Sequence, residues 1–220
     1  MNFETIIFDY DGTLHESIGI YAPAFRRAQN YLGENGLLKN ETYTDQEISK
    51  WLGYSSKDMW DSFMPNLDPE IKEYCSKLIG DSMKLYIKEG KANLYKDALE
   101  ILGLLKKSGY KLIFLSNCKI AYMEAHKAYF NLEKYFDRFY CTEQFGFIPK
   151  YEIFDHIKSE IIGECIVVGD RFQDIEIAKK YNLMSIGCIY GYGNLEELEE
   201  ATWKIGSILE IKKILDLDKV

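Results

Sequence analysis

Three apolar runs in this chain each stop on small polar or acidic residues, and that repeated ending constrains the fold more than any other feature. Ile6-Ile7-Phe8 runs into Asp9-Tyr10-Asp11-Gly12-Thr13. Leu112–Leu115 runs into Ser116-Asn117, and Ile166–Val168 runs into Gly169-Asp170-Arg171-Phe172-Gln173-Asp174. Short apolar runs bounded by turn signals read as buried strands. With one further run, the expected strands are Thr5–Phe8, Lys111–Leu115, Cys165–Val168 and Met184–Ile189. Helical stripes lie between the later ones. Leu94, Ala98, Ile101, Leu102 and Leu105 form one, closed by Gly109. Ile153, Phe154, Ile157 and Ile161 form a second, and Ile175, Ala178 and Tyr181 a third.

Strands alternating with such helices predict an α/β fold, a Rossmann-like doubly wound parallel sheet. The stretch from Glu16 to Gly90 differs, because it holds no convincing strand. Tyr21, Phe25, Ala28 and Leu32 recur at helical spacing until Asn35-Gly36. Thr44-Asp45-Gln46-Glu47 is a capping box ahead of Ile48, Trp51 and Leu52. Asp68-Pro69 starts another helix, with Ile71, Tyr74, Cys75, Leu78 and Ile79 on its apolar face. The expected organisation is therefore a core of residues 1–15 and 91–220, interrupted by an all-helical cap domain at 16–90. Hinges fall near His15–Ser17 and Gly90–Asn93. An insertion there sits over the carboxyl end of the first strand, where open α/β sheets bind ligands.

If the strands are neighbours, their polar endings converge at one sheet edge. Carboxylates there are costly to bury unless paired or bound to a cation. An all-oxygen set suits Mg²⁺, which binds a few carboxylates together with water and substrate phosphate. A divalent cation beside a phosphate points to phosphoryl transfer, with Asp9 placed to act as nucleophile. Asp11 lies two residues on, and Gly12 supplies the freedom for a bend at the end of the strand. So placed, Asp11 can protonate the leaving oxygen and later take a proton from the attacking water. Ser116 and Asn117 are candidates to bind phosphoryl oxygens. Lys150, which follows Pro149 and starts the helix Tyr151–Glu160, is the candidate for charge neutralisation. Asp9, Asp11, Asp170 and Asp174 are the metal candidates. Asp174 can instead cap the helix near Ile175 or orient Lys150, and Ser116 can cap the helix Lys119–Phe130.

These residues resemble the haloacid dehalogenase superfamily, whose four motifs appear in order across the chain. Asp9-Tyr10-Asp11-Gly12-Thr13-Leu14 looks like motif I, Ser116 like motif II, Lys150 like motif III, and Gly169-Asp170-Arg171-xx-Asp174 like motif IV. The helical insertion is similar to that superfamily's C1 cap. Gly191-Tyr192-Gly193-xx-Glu196-Glu197-Leu198 resembles its phosphoglycolate phosphatase and pyrophosphatase-like branch. The resemblance implies Asp9 as nucleophile with its carboxylate on Mg²⁺. It implies the Asp11 carbonyl as second ligand, the Asp11 side chain as acid/base, and Asp170 as third ligand. Ser116 and Lys150 would bind the phosphoryl group. The dehalogenase branch lacks the second aspartate, so phosphoryl chemistry is implied instead of carbon–halogen cleavage. The implied function is a Mg²⁺-dependent phosphatase that hydrolyses a small phosphorylated metabolite through an aspartyl-phosphate. A β-phosphoglucomutase-like phosphomutase uses the same intermediate. A non-catalytic binding protein on this fold is a third reading, opposed by the intact Asp9, Asp11, Ser116 and Asp170 set.

Two departures stand out. Motif III reads Pro149-Lys150-Tyr151 where this branch often has Lys-Pro. His15-Glu16-Ser17 replaces a more usual acidic-first sequence, at a hinge where it is expected to bear on substrate and not on chemistry. In the cap, Tyr54 and Lys57 of the polar loop Leu52–Lys57 are expected to read the leaving group. Trp51, Trp60 and Phe63 are expected to be cap core. His126 and His156 are expected on surface or half-buried helix faces, and His15 lies near enough to touch a substrate. The net charge of −8, from 27 Lys+Arg and 35 Asp+Glu, argues against nucleic acid and anionic membranes as partners. No apolar stretch approaches the ~18 residues of a membrane span, and no secretory signal is visible. The five cysteines form neither a CxxC nor a zinc-type cluster, so reduced and mostly buried thiols are expected. A cytoplasmic monomer is the resulting expectation.

Overall fold

The computed structural model describes residues 3–39 and 42–217. The expected segment ends at 1 and 220, and positions 40–41 inside the helical block, lie outside the described residues. Six strands form one all-parallel sheet: β1 (Phe3–Phe8), β2 (Lys111–Ser116), β3 (Arg138–Cys141), β4 (Glu164–Gly169), β5 (Met184–Cys188) and β6 (Trp203–Ile205). Their order is β3-β2-β1-β4-β5-β6. β1 is central, with Phe8 in register with Phe114 of β2 and Val168 of β4. The four expected strands are present, and β3 and β6 are additional. Both additions are short edge strands. β3 is Arg138-Phe139-Tyr140-Cys141 with only Cys141 buried, so neither carries the continuous apolar run that marks a central strand.

Alternation along the strands builds two cores. Ile6, Phe8, Leu112, Phe114, Ile166 and Val168 face α5 (Ala98–Lys107), which contributes Ala98, Ile101, Leu102 and Leu105. Ile7, Ile113, Leu115, Cys165 and Val167 face α7 (Lys150–Ile157) and α8 (Phe172–Tyr181), through Ile153, Phe154, Ile157, Ile177 and Ala178. Helices thus cover both faces, as a parallel sheet requires. Leu94, expected at the head of the α5 stripe, precedes the helix and bridges instead to His15. The strand order reverses between β1 and β4, so a crevice opens at their carboxyl ends.

The helical block comprises α1 (Ile18–Glu34), α2 (Asp45–Ser49), α3 (Ser56–Phe63) and α4 (Pro69–Lys88). The capping box is formed: the Glu47 N–H donates to Thr44 Oγ1 at 3.2 Å, and the Thr44 N–H donates to Glu47 Oε2 at 2.8 Å. These helices bury their own apolar cluster around Phe25, Trp51, Met59, Trp60, Cys75 and Ile79. Phe25 stacks on Trp51 with ring centroids 5.0 Å apart, and Phe63 packs against the cluster half-buried. Tyr74 leaves the expected apolar face, being 50% exposed against Tyr31. At the hinges the two chain crossings run side by side. The Glu16 N–H donates to the Asn93 carbonyl at 2.9 Å, and the Tyr95 N–H to the Leu14 carbonyl at 2.8 Å. α6 (Ile120–Tyr129) packs between core and cap, and α9 (Ile211–Ile214) closes the chain. Among the described residues no helix is long and apolar enough to cross a membrane. All five cysteines are free thiols, and only Cys118 is not fully buried.

Candidate active site

The loops after β1 and β4 bring Asp9, Asp170 and Asp174 together. One carboxylate oxygen from each lies within 4.8 Å of the others, and all three residues are buried. Lys150, the first residue of α7, reaches into this group and is itself buried. Its Nζ donates to Asp9 Oδ1 at 2.6 Å and to Asp174 Oδ1 at 2.7 Å. The inverted order Pro149-Lys150 does not displace the lysine. Pro149 caps α7, and Lys150 still enters from its first turn. Asp174 also accepts the Arg171 N–H at 3.2 Å, so it caps α8 and orients Lys150 while sharing the acidic cluster.

Three buried carboxylates share one ammonium, and the charge balance shows it. Burial pushes Asp9 well above the usual carboxylate range; the Asp174 charge adds to the push and Lys150 opposes it. Asp170 is pushed up to about 7, by burial first and then by Asp174, against the hydrogen bond that the Tyr192 N–H donates. That bond is 2.7 Å long. Burial alone would lower Lys150, but Asp174 and Asp9 together raise it. The cluster is therefore short of positive charge and offers only oxygen donors, the conditions a small hard divalent cation meets. The surrounding loops fit tightly. Gly12 sits at φ +87°, and a Cβ there would overlap the Asp170 carboxylate. A Cβ on Gly193 would overlap the Asp170 carbonyl oxygen. The Gly191-Tyr192-Gly193 turn, noted in the sequence only as a branch resemblance, is thus a collar around Asp170.

Asp11 does not join this group through its side chain. The bend expected at Gly12 does not bring its carboxylate to the cluster; a separate set of donors takes it up, and its carbonyl is what is left for the expected metal role. Asp11 Oδ1 accepts from the Ser17 hydroxyl at 2.5 Å, the Tyr122 hydroxyl at 2.7 Å and His15 Nδ1 at 2.9 Å. Burial pushes Asp11 up, but the hydrogen bonds from His15 and the Ser17 hydroxyl outweigh it and hold it below its usual value. Behind it, Tyr10 OH lies 2.7 Å from His126 Nδ1. His126, expected at or near the surface, is fully buried because α6 lays that face against the loop after β1.

A cavity of about 450 Å³ lies between sheet edge and cap. Asp9, Asp11, Ser116 and Asn117 line its floor, and Tyr21, Trp51, Tyr54, Met59, Ile79, Met83 and Tyr122 line its walls. Ser116 ends β2 and is buried. It does not cap α6, where Glu143 instead accepts the Ile120 N–H at 2.7 Å. The Asn117 side chain, on the cavity floor, donates to the Gly53 carbonyl of the cap loop at 2.8 Å. Arg171 donates to the Leu52 carbonyl of the same loop, lies 4.8 Å from the Tyr54 ring centre, and pairs with Glu197 at 2.8 Å. Tyr54 faces the cavity as expected. Lys57 does not: Ser55 caps α3, and the first helical turn carries Lys57 out to solvent. Trp51 is both cap core and cavity wall. Ser17, Tyr122 and Arg171 are the residues around the site to which sequence reasoning gave no role. His15, noted in the sequence as near enough to touch a substrate and as part of the departure after motif I, meets Asp11 instead.

A parallel sheet with a buried oxygen cluster at its switch point, covered by a helical insertion, defines a hydrolase architecture of one family. The chain belongs to the haloacid dehalogenase-like hydrolases, whose family model matches residues 6–188. It is an enzyme of that hydrolase class, and phosphoric monoester hydrolysis is the activity its curated relatives are named for. The chain is 23% identical over 210 residues to the phosphoglycolate phosphatase of Colwellia psychrerythraea, covering 90% of this chain and 89% of that protein. It is 28% identical over 196 residues to the phosphoglycolate phosphatase of Aquifex aeolicus, covering 86% of each. In fold it superposes on the crystal structure of a predicted phosphoglycolate phosphatase from Haemophilus somnus 129PT, with a TM-score of 0.81 and 21% identity. That match covers 97% of this chain and 98% of the other.

Proposed function

We propose that this chain is a Mg²⁺-dependent phosphatase that hydrolyses a small phosphorylated metabolite through an aspartyl-phosphate on Asp9. One observation carries the reading: a buried oxygen cluster short of positive charge meets a cavity floor through Asp9, with a second carboxylate, Asp11, held apart from it on the same floor. Asp9 and Asp170 would hold the ion with the Asp11 carbonyl, and Asp174 beside them. When bound, the ion neutralises charge on the transferring phosphoryl oxygens.

The chain's own groups account for the rest. The Asp9 carboxylate forms a bond to phosphorus as the bond to the leaving oxygen breaks. Lys150, 2.6 Å from Asp9, offsets the negative charge that gathers there. The Ser116 hydroxyl donates to a phosphoryl oxygen. Asp11 gives its proton to the leaving oxygen. It then takes one from the water that attacks phosphorus, which frees Asp9 and inorganic phosphate. A bound phosphoryl dianion beside Asp11 raises its hold on that proton. Residues 16–90 act as a lid that excludes bulk water and opens for release. The leaving group meets Tyr54, Tyr21, Trp51 and Tyr122.

The test is turnover of 4-nitrophenyl phosphate with and without Mg²⁺, by wild type, Asp9→Asn and Asp11→Asn. Mg²⁺-dependent release of 4-nitrophenol by wild type and its loss in Asp9→Asn is the expected result. Wild-type turnover indistinguishable from Asp9→Asn overturns the reading. The relatives' names make 2-phosphoglycolate the first metabolite to assay next.

A further inference from the structure

We infer that His15 is a positioning residue for Asp11: it fixes the carboxyl so that the proton it carries sits on the oxygen facing the leaving group. The inference rests on the reading of Asp11 as the acid. Its basis is the one-sidedness of the hydrogen bonds around that carboxylate. Ser17, Tyr122 and His15 all approach Oδ1, at 2.5, 2.7 and 2.9 Å. No described hydrogen bond reaches Oδ2. An oxygen with about two lone-pair sites, met by three donors, has no place for a proton of its own. A proton on Asp11 therefore resides on Oδ2, and Asp11 lines the cavity with 16% of its side chain exposed.

His15 is held for this role from both ends. Its backbone is locked in the loop, with its N–H donating to the Tyr10 carbonyl and its carbonyl accepting the Gly12 N–H, both at 2.9 Å. Its ring is fully buried, stacked on Tyr10 at 5.2 Å between centroids, with His126 packed edge-on at 4.4 Å. Nδ1 lies 2.9 Å from Ser17 Oγ and 3.2 Å from the Tyr122 hydroxyl as well as 2.9 Å from Asp11. With both hydroxyl hydrogens given to Asp11, which as an ionised carboxylate can only accept, Nδ1 carries the hydrogen and Nε2 is the bare nitrogen. Nε2 is the atom found buried without a partner. An unprotonated nitrogen tolerates that position better than an N–H would.

Ser17 supplies an independent sign that these bonds serve Asp11. It occupies the N-cap of α1, where a serine hydroxyl ordinarily accepts a hydrogen bond from the first turn. Here it makes no such bond. The hydroxyl goes to Asp11, and the Ile18 N–H is met instead by the Tyr192 hydroxyl at 3.0 Å. The helix start gives up its usual cap, and the Asp11 carboxylate gains a donor. The hinge at His15–Ser17 thereby acts on the acid, and not only on substrate as the sequence suggested.

The test uses a series of substituted phenyl phosphates, because acid assistance matters more as the leaving phenol becomes more basic. Asp11→Asn sets the reference slope. His15→Leu is expected to leave kcat on 4-nitrophenyl phosphate within about threefold of wild type and to lower it about 10- to 100-fold on 4-methoxyphenyl phosphate, with KM unchanged. His15→Asn, which can place an N–H where Nδ1 sits, restores the second substrate to within a few-fold. Equal loss on both substrates in folded His15→Leu, or no rescue by His15→Asn, overturns the inference. Ser17→Ala removes a donor from the same oxygen without emptying the core and carries the same expectation if His15→Leu does not fold. If Asp11→Asn itself shows no added loss on the basic leaving group, the acid reading of Asp11 fails. If Asp11→Asn shows it and neither His15→Leu nor Ser17→Ala does, only the positioning role fails.

Discussion

Asp9 and Asp11 leave the same strand two residues apart and meet opposite surroundings. Asp9 turns into a pocket of buried carboxylates, where burial and Asp174 outweigh Lys150 and its acidity is suppressed. Asp11 meets a separate set of donors, where the His15 and Ser17 hydrogen bonds overcome the cost of burial and its acidity is enhanced. The difference shows that depth alone does not decide which carboxylate is charged. The neighbours decide it: Asp174 and Asp170 raise Asp9 against Lys150, whereas His15, Ser17 and Tyr122 all approach Asp11 as donors.

The sharpest way to break that comparison is to remove each carboxylate in turn. Asp9→Asn is expected to lower kcat by on the order of 10⁴-fold or more, with no phosphorylated protein detectable by intact mass. Asp11→Asn is expected to lower it by about 10²- to 10⁴-fold while the aspartyl-phosphate still forms. Equal losses with no phosphoprotein in either variant would erase the division of labour. Next in size is the lysine that distinguishes the Asp9 side. Lys150→Met leaves Asp9 and Asp174 buried without their cation and is expected to destabilise the fold by about 3–5 kcal/mol. Urea midpoints check this, and added Mg²⁺ should recover part of the loss.

The Asp11 side is tested through pH. His126 behind it is held down to about 3 from its ordinary 6.5, by burial first and then by His15. The unfolded chain takes up that proton below pH 6.5, and the folded chain does not until about pH 3. Stability from this group therefore falls as pH drops through 6.5 towards 3. The loss amounts to about 2 kcal/mol between pH 7 and pH 5. His126→Asn should flatten the stability slope over that window; an unchanged slope counts against the assignment. The smallest effect concerns what covers both carboxylates. Asn117→Ala removes one hydrogen bond to the cap loop and is expected to cost about 0.5–1.5 kcal/mol locally. It should read as faster amide exchange at residues 52–56 with little change in the global melt.

Much of this site was legible before any fold was known. Asp9, Ser116 and Asp170 stand at strand ends that the apolar runs marked plainly, and Lys150 lies at a helix start. What escaped depends on which way a side chain turns after the backbone leaves the strand. Asn117 and Lys57 sit in the expected loops, yet one reaches across to the cap and the other is carried outward by a helical turn. His126 was placed too near the surface because an α6 face of mixed residues gives no period to show which side meets the core. The edge strands β3 and β6 escaped for a related reason. Their burial comes from one neighbour and a few residues, too little to imprint an apolar run.

Arg171 has a consequence for coupling. It follows Asp170 directly, and its guanidinium holds the Leu52 carbonyl and the Tyr54 ring of the cap loop. The peptide that aims Asp170 at the cluster is thus tethered through the next side chain to the cover above it. Arg171 is fixed on the core side as well, by Glu197 at 2.8 Å and through its own N–H by Asp174 at 3.2 Å. One residue thus joins the acidic cluster, the cap loop and the segment that carries Glu197, so a change at any one of the three is transmitted to the other two through it.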